Sequence, residues 1–90
     1  HEGLLRLKEQ DEKNHTEYMV TLRTWLDQQM NATRTAKELF IHRSTLLYRL
    51  DRIREILHTE LEDPEEIFYL ELSFRLMEQE QERSAGTKKM

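Results

Sequence analysis

The sequence predicts an all-α fold, a small bundle of four main helices, and three observations carry that expectation. Two Gly and one Pro in 90 residues, with abundant Leu, Glu, Arg and Gln, favour helix over sheet. Apolar residues recur at three- and four-residue spacing rather than alternating. Hydrophobic residues make up 37% and charged residues 36%, which is lean for a lone globule but suits short helices that each bury one stripe. A chain of this length forms one domain, burying about 60% of its unfolded surface.

Taken in order, Leu4, Leu5 and Leu7 are expected to form a short docking turn before a polar stretch over 8–14. Thr16 is the expected N-cap of the first long helix. Behind it Tyr18, Leu22, Trp25 and Leu26 fall at i, i+4, i+7 and i+8, one apolar face, with the helix ending near Met30 and Asn31. Asn31 or Thr33 can cap a short second helix over 35–40, with Ala36 and Leu39 inward. Phe40, Ile41 and His42 interrupt the periodicity. From Ser44 a third helix carries Leu46, Leu50, Ile53 and Leu57 as an inward stripe. Asp63 at N-cap, Pro64 at N1, and Glu65 and Glu66 in the first turn announce the last helix. Its stripe is Ile67, Leu70, Phe74 and Met77, with Leu72 and Leu76 widening it. The last helix is expected to run over about 64–82, and 84–90 reads as a disordered tail.

The formal net charge of −4 is unevenly spread. Residues 31–58 carry six Lys/Arg against three acids, a balance of +3, while 1–30 stand at −2 and 59–90 at −5. A basic block between acidic flanks suits a polyanionic partner. No apolar run exceeds four residues, which argues against a membrane span or a signal peptide. Without cysteine there is no disulfide or thiolate metal site, in keeping with a cytoplasmic location. No cofactor is expected. The opening His1-Glu2-Gly3 reads as the start of a piece from a longer protein.

A short helix, a three-residue break and a longer helix describe a helix-turn-helix, here over about 31–57. That motif needs a small residue at the crossing, which Ala36 supplies, and apolar residues on both sides of the turn, here Leu39, Ile41 and Leu46. The second helix then presents its first turn to a major groove of double-stranded DNA. Projection of 43–57 puts Ser44, Tyr48, Asp51, Arg52 and Glu55 opposite the inward stripe, with Leu47 and Arg49 on the flanks. Arg can bridge guanine O6 and N7, Ser and Thr can bond bases or phosphates, and Tyr can reach a phosphate. The DNA-contact candidates are therefore His42, Arg43, Ser44, Thr45, Tyr48, Arg49 and Arg52, joined by Thr33 at the opening of the shorter helix. Three of them have a second reading. Arg49 can be an ion-pair partner, Tyr48 can cover the core edge, and His42 can bond backbone at the turn. Phe40 sits where Gly is common in such turns.

The run "TAKELFIHRSTLLYRLDRI" (35–53) resembles the C-terminal DNA-binding domain of bacterial PucR-type (purine catabolism) and CdaR-type (sugar diacid) transcriptional regulators. "LLRLKEQDE" is similar to that family's opening segment, "LRTWLDQQMNATRTAKELF" to its first long helix, and "LEDPEEIFYLELSFRL" to its closing helix. The resemblance covers about residues 4–77 and implies a domain over 1–83. Ser44 departs from the Asn expected after the Arg, whereas Phe40 is usual there. The family's motif is similar to that of the nucleoid protein Fis. The resemblance implies a regulator of a catabolic operon, of purine or sugar-diacid type, whose upstream part binds a small-molecule effector. Because a helix-turn-helix usually reads two half-sites as a two-fold dimer, the full-length regulator is expected to be a homo-oligomer. This segment, with few dimer residues beyond Leu47, Leu72 and Leu76, is expected to associate weakly or only on DNA.

The rival reading is a helical dimerisation or protein-docking module without DNA contact. An enzyme is not expected. His15, His42 and His58 are scattered, no metal-binding His pair, hydrolytic triad or phosphate loop occurs, and the turn separates Glu38 from His42.

Overall fold

In the computed structural model the backbone is described for residues 1–88 and side chains for 1–83; among these there are five helices and no strand. They are α1 (Glu2–Asn14), α2 (Tyr18–Asp27), α3 (Ala32–Leu39), α4 (Arg43–Leu57) and α5 (Pro64–Lys88). The all-α expectation holds, but the count is five. The docking turn is the start of a 13-residue helix in which Leu4 and Leu7 are buried and Leu5 is exposed. The polar stretch 8–14 is its continuation, closed by His15 in the left-handed conformation at φ 55°.

Tertiary bonds hold α1 in place. Arg6 donates from Nε to the Ile56 carbonyl (3.0 Å) and from Nη2 to that of Leu57 (3.4 Å). These are carbonyls at the end of α4 that have no partner within the helix. Gly3 lies so close to α4 that an added Cβ would stand 2.7 Å from Leu57 Cδ2. At the other end of α1, the Asp11 carboxylate accepts from the Tyr18 amide (2.9 Å), the Met19 amide (2.9 Å) and the Thr16 hydroxyl (2.5 Å). Thr16 is thus not the N-cap of α2. Glu17 holds that position without a side-chain bond, and Asp11 of the preceding helix caps the amides instead.

The stripe of α2 is as read: Tyr18, Leu22, Trp25 and Leu26 are all buried. The helix stops at Asp27, earlier than expected, because Gln29 and Met30 turn left-handed (φ 55° and 62°). Asn31 then caps α3, accepting from the Arg34 amide at 2.9 Å. At its far end Phe40 is left-handed, its amide donates to the Lys37 carbonyl (3.2 Å), and that of Ile41 to Ala36 (3.0 Å). This pair of hydrogen bonds is a Schellman closure, and it turns the chain into α4. Leu46, Leu50, Ile53 and Leu57 form the buried stripe of α4.

Asp63 caps α5 as expected, accepting from the Glu65 amide at 3.0 Å. Ile67, Leu70 and Phe74 join Trp25 and Leu26 in one core. Leu72 and Leu76 do not widen that stripe; both are exposed. Outside the core edge, Arg23 stands over the Phe74 ring at 5.8 Å and pairs with Glu78 at 2.9 Å. The helix runs on to Lys88 rather than ending near 82, and the final two residues of the expected tail lie outside the described residues. No helix among the described residues is long and apolar enough to cross a membrane.

Candidate nucleic-acid interface

The second helix of the interrupted pair opens differently from its neighbours. Side chains cap the first amides of the other four: His1 for α1, Asp11 for α2, Asn31 for α3 and Asp63 for α5. Among the described residues, α4 alone has none. Its N-cap, His42, is extended (φ −69°, ψ 149°) and makes no side-chain bond to the helix. The reading in which His42 bonds backbone at the turn is not realised, and the imidazole is exposed beside first-turn amides that lack a side-chain acceptor. Such an N-terminus favours an anion.

The structure sorts the basic block into two groups. Arg34, Lys37 and Arg43 are exposed and make no ion pair among the described residues. The other three arginines are engaged within the molecule. Arg49 is half-buried, donates to the Thr21 hydroxyl at 3.1 Å and stands 3.9 Å from the Glu17 carboxylate. Arg52 binds Glu55 at 2.7 Å. Arg54 binds Asp51 (3.2 Å) and the Glu60 carbonyl (3.1 Å) and lies over the Trp25 ring. Unpaired positive charge therefore lies on α3 and the first turn of α4, and paired charge further along α4.

The eight candidates divide accordingly. His42, Arg43, Ser44 and Thr45 are together at the exposed start of α4, and Tyr48, 62% exposed, follows one turn later. Its exposure disposes of the core-edge reading. Thr33 is exposed in the first turn of α3. Arg49 matches the ion-pair alternative, tying α4 to the start of α2. Thr45, Tyr48 and Arg49 line an open polar cleft of about 440 Å³ with His15, Thr16 and Glu17. Arg34 and Lys37 belong to the basic block but are not among the eight contact candidates. Their signal was their place on a short helix whose inward positions Ala36 and Leu39 had already claimed.

A family model described as the PucR C-terminal helix-turn-helix domain matches residues 18–76. The chain is 39% identical over 56 residues to the purine catabolism regulatory protein of Bacillus subtilis, covering 62% of this chain and 10% of that protein. It is 38% identical over 60 residues to the proline-responsive transcriptional activator PutR of the same organism, covering 67% and 15%. With the carbohydrate diacid regulator of Escherichia coli it shares 37% identity over 76 residues, covering 84% and 19%. The chain thus spans less than a fifth of the length of each of these relatives. No solved structure matches.

Proposed function

The chain belongs to the family of PucR C-terminal helix-turn-helix domains, and from that premise we propose that it binds double-stranded DNA as the sequence-reading part of a bacterial transcriptional regulator. One observation carries the reading. The uncapped N-terminus of α4 opens on an unpaired arginine, Arg43, in a chain that otherwise caps its helices. An amide-rich helix end with free guanidinium beside it is built for a polyanion.

In this reading Arg43 and His42 enter the major groove and meet base edges, and Ser44 bonds a base or a phosphate. Thr45 holds a phosphate next to the free amides, Tyr48 reaches another, and Thr33 meets the backbone from α3. Arg34 and Lys37 add phosphate contacts. Arg52 is tied to Glu55, but an exposed pair of this kind is worth only about 1 kcal/mol or less, so a phosphate can displace the carboxylate. Arg49 acts mainly by holding α4 against α2. The unit is a Fis-like helix-turn-helix domain over 1–83. It works in a dimer that reads two half-sites about one helical turn apart. A small-molecule effector acts through an upstream part, and the regulated operon is catabolic, as the names of the relatives suggest. Leu47, Leu72 and Leu76, all exposed, are apolar positions available for weak self-association.

The test titrates wild type, Arg43→Ala and Arg52→Ala against a duplex selected from random sequence and against a scrambled one, across salt. Arg43→Ala should lose about 1–3 kcal/mol on the selected site and relax preference at one base pair. Arg52→Ala should weaken both duplexes alike and reduce the log–log salt slope by about one. If both variants bind as wild type does, α4 is not the recognition helix, and the docking-module alternative takes its place.

A further inference from the structure

Phe40 combines two local costs at one position. Its backbone is left-handed, φ 56° and ψ 43°, a conformation that a Cβ disfavours. Its ring is 94% exposed, the most exposed of the large hydrophobic side chains described. The closure of α3 needs the left-handed φ and the two amide bonds, and Gly would supply both at lower cost. The packing at this turn comes from Ile41, which lies against the core. Other left-handed positions are occupied differently. His15 and His58 end α1 and α4 with polar rings, Gln29 is polar, the apolar Leu61 is buried, and the apolar Met30 is 42% exposed, less than half as much as Phe40. The ring of Phe40 thus serves nothing within the fold.

Its neighbours say what it meets. Lys37 lies three residues before it and Arg43 three after, both exposed and unpaired, and His42 and Ser44 beside it are exposed and polar. A single apolar ring set among free cations at the mouth of α4 complements a polyanion that has one apolar feature. In the major groove that feature is the C5-methyl of thymine. We propose that Phe40 is a specificity-determining residue that packs its ring on a thymine methyl at the edge of the groove entered by α4. This rests on the DNA-binding reading above.

Phe40→Gly tests it, because Gly relieves the backbone while removing the ring. The thermal midpoint should hold or rise. Affinity for the selected duplex should fall about tenfold, as loss of a partly buried aromatic implies. The salt slope should not change, since an apolar contact releases no counterion. Deoxyuridine then replaces each thymine of that duplex in turn. Wild type should lose about fourfold at one position, the worth of one buried methyl, and Phe40→Gly should be indifferent there. Should the Gly variant fold poorly, Phe40→Asn repeats the comparison, since Asn also tolerates this conformation. Undiminished binding by the variant overturns the proposal, and so does a loss that no thymine position shares. A wild type that binds no selected duplex overturns the DNA reading itself, and this inference with it.

Discussion

Replacing Asp11 should loosen the molecule more than any other change to a charged side chain on its surface. The carboxylate takes three hydrogen bonds, with Oδ1 serving the Thr16 hydroxyl and the Tyr18 amide and Oδ2 the Met19 amide. Losing an N-cap alone costs about 0.5–2 kcal/mol, and hydrogen bonds to charged groups are worth about 1.5–3 kcal/mol each without being additive. Asp11→Ala should therefore cost about 2–4 kcal/mol. In a domain of this size each kcal/mol lowers the thermal midpoint by about 4–8 °C, so a fall of roughly 10–30 °C is expected. Asp11→Asn keeps Oδ1 but turns an amide donor toward the Met19 N–H, so about 1–2 kcal/mol should be lost. Urea and thermal unfolding of the three proteins measure both values. An Asp11→Ala protein within about 0.5 kcal/mol of wild type, or an Asn variant as unstable as the Ala variant, would refute the cap.

Phe74, only 5% exposed, should cost about 3–5 kcal/mol when cut to Ala, read from the urea midpoint. A loss under about 1 kcal/mol would place its ring outside the core. At Glu78, the hydrogen bond from Arg23 holds the carboxyl below the usual carboxylate range. Its contribution is thus present above the unfolded pKa and lost as pH falls through the lower folded one. Because the carboxylate is half exposed, Glu78→Gln should lose about 1 kcal/mol or less at neutral pH, and the gap from wild type should close in acid. A gap that persists unchanged in acid would mean that the carboxylate charge contributes nothing.

What was legible in the sequence depended on how far each signal reaches along the chain. The stripes Tyr18-Leu22-Trp25-Leu26 and Leu46-Leu50-Ile53-Leu57 repeat within a few turns, so spacing alone revealed them. The Asp63-Pro64 start is chemistry between adjacent residues. Helix α1 escaped because only Leu4 and Leu7 anchor it by pattern. The rest of its support is Arg6 on carbonyls 50 and 51 residues away and Asp11 on amides seven and eight residues ahead. The exposure of Leu72 and Leu76 depends on which faces of α5 the other helices cover, which periodicity does not contain. At the candidate interface, the position of Arg43 was readable from the helix start. The engagement of Arg49 was not, since its partners Thr21 and Glu17 lie 28 and 32 residues earlier.

The docking of α1 also bears on where this domain can be cut. The family match begins at residue 18, inside the core but after α1. A fragment trimmed to that match would strip Arg6 from the carbonyl end of α4, uncover Leu57, and leave the Tyr18 and Met19 amides without their acceptor. The unit expected to fold on its own is therefore longer than the stretch that the family model matches. Amide exchange should report the same boundary, with α1 and the last turn of α4 opening as one cooperative block rather than fraying separately.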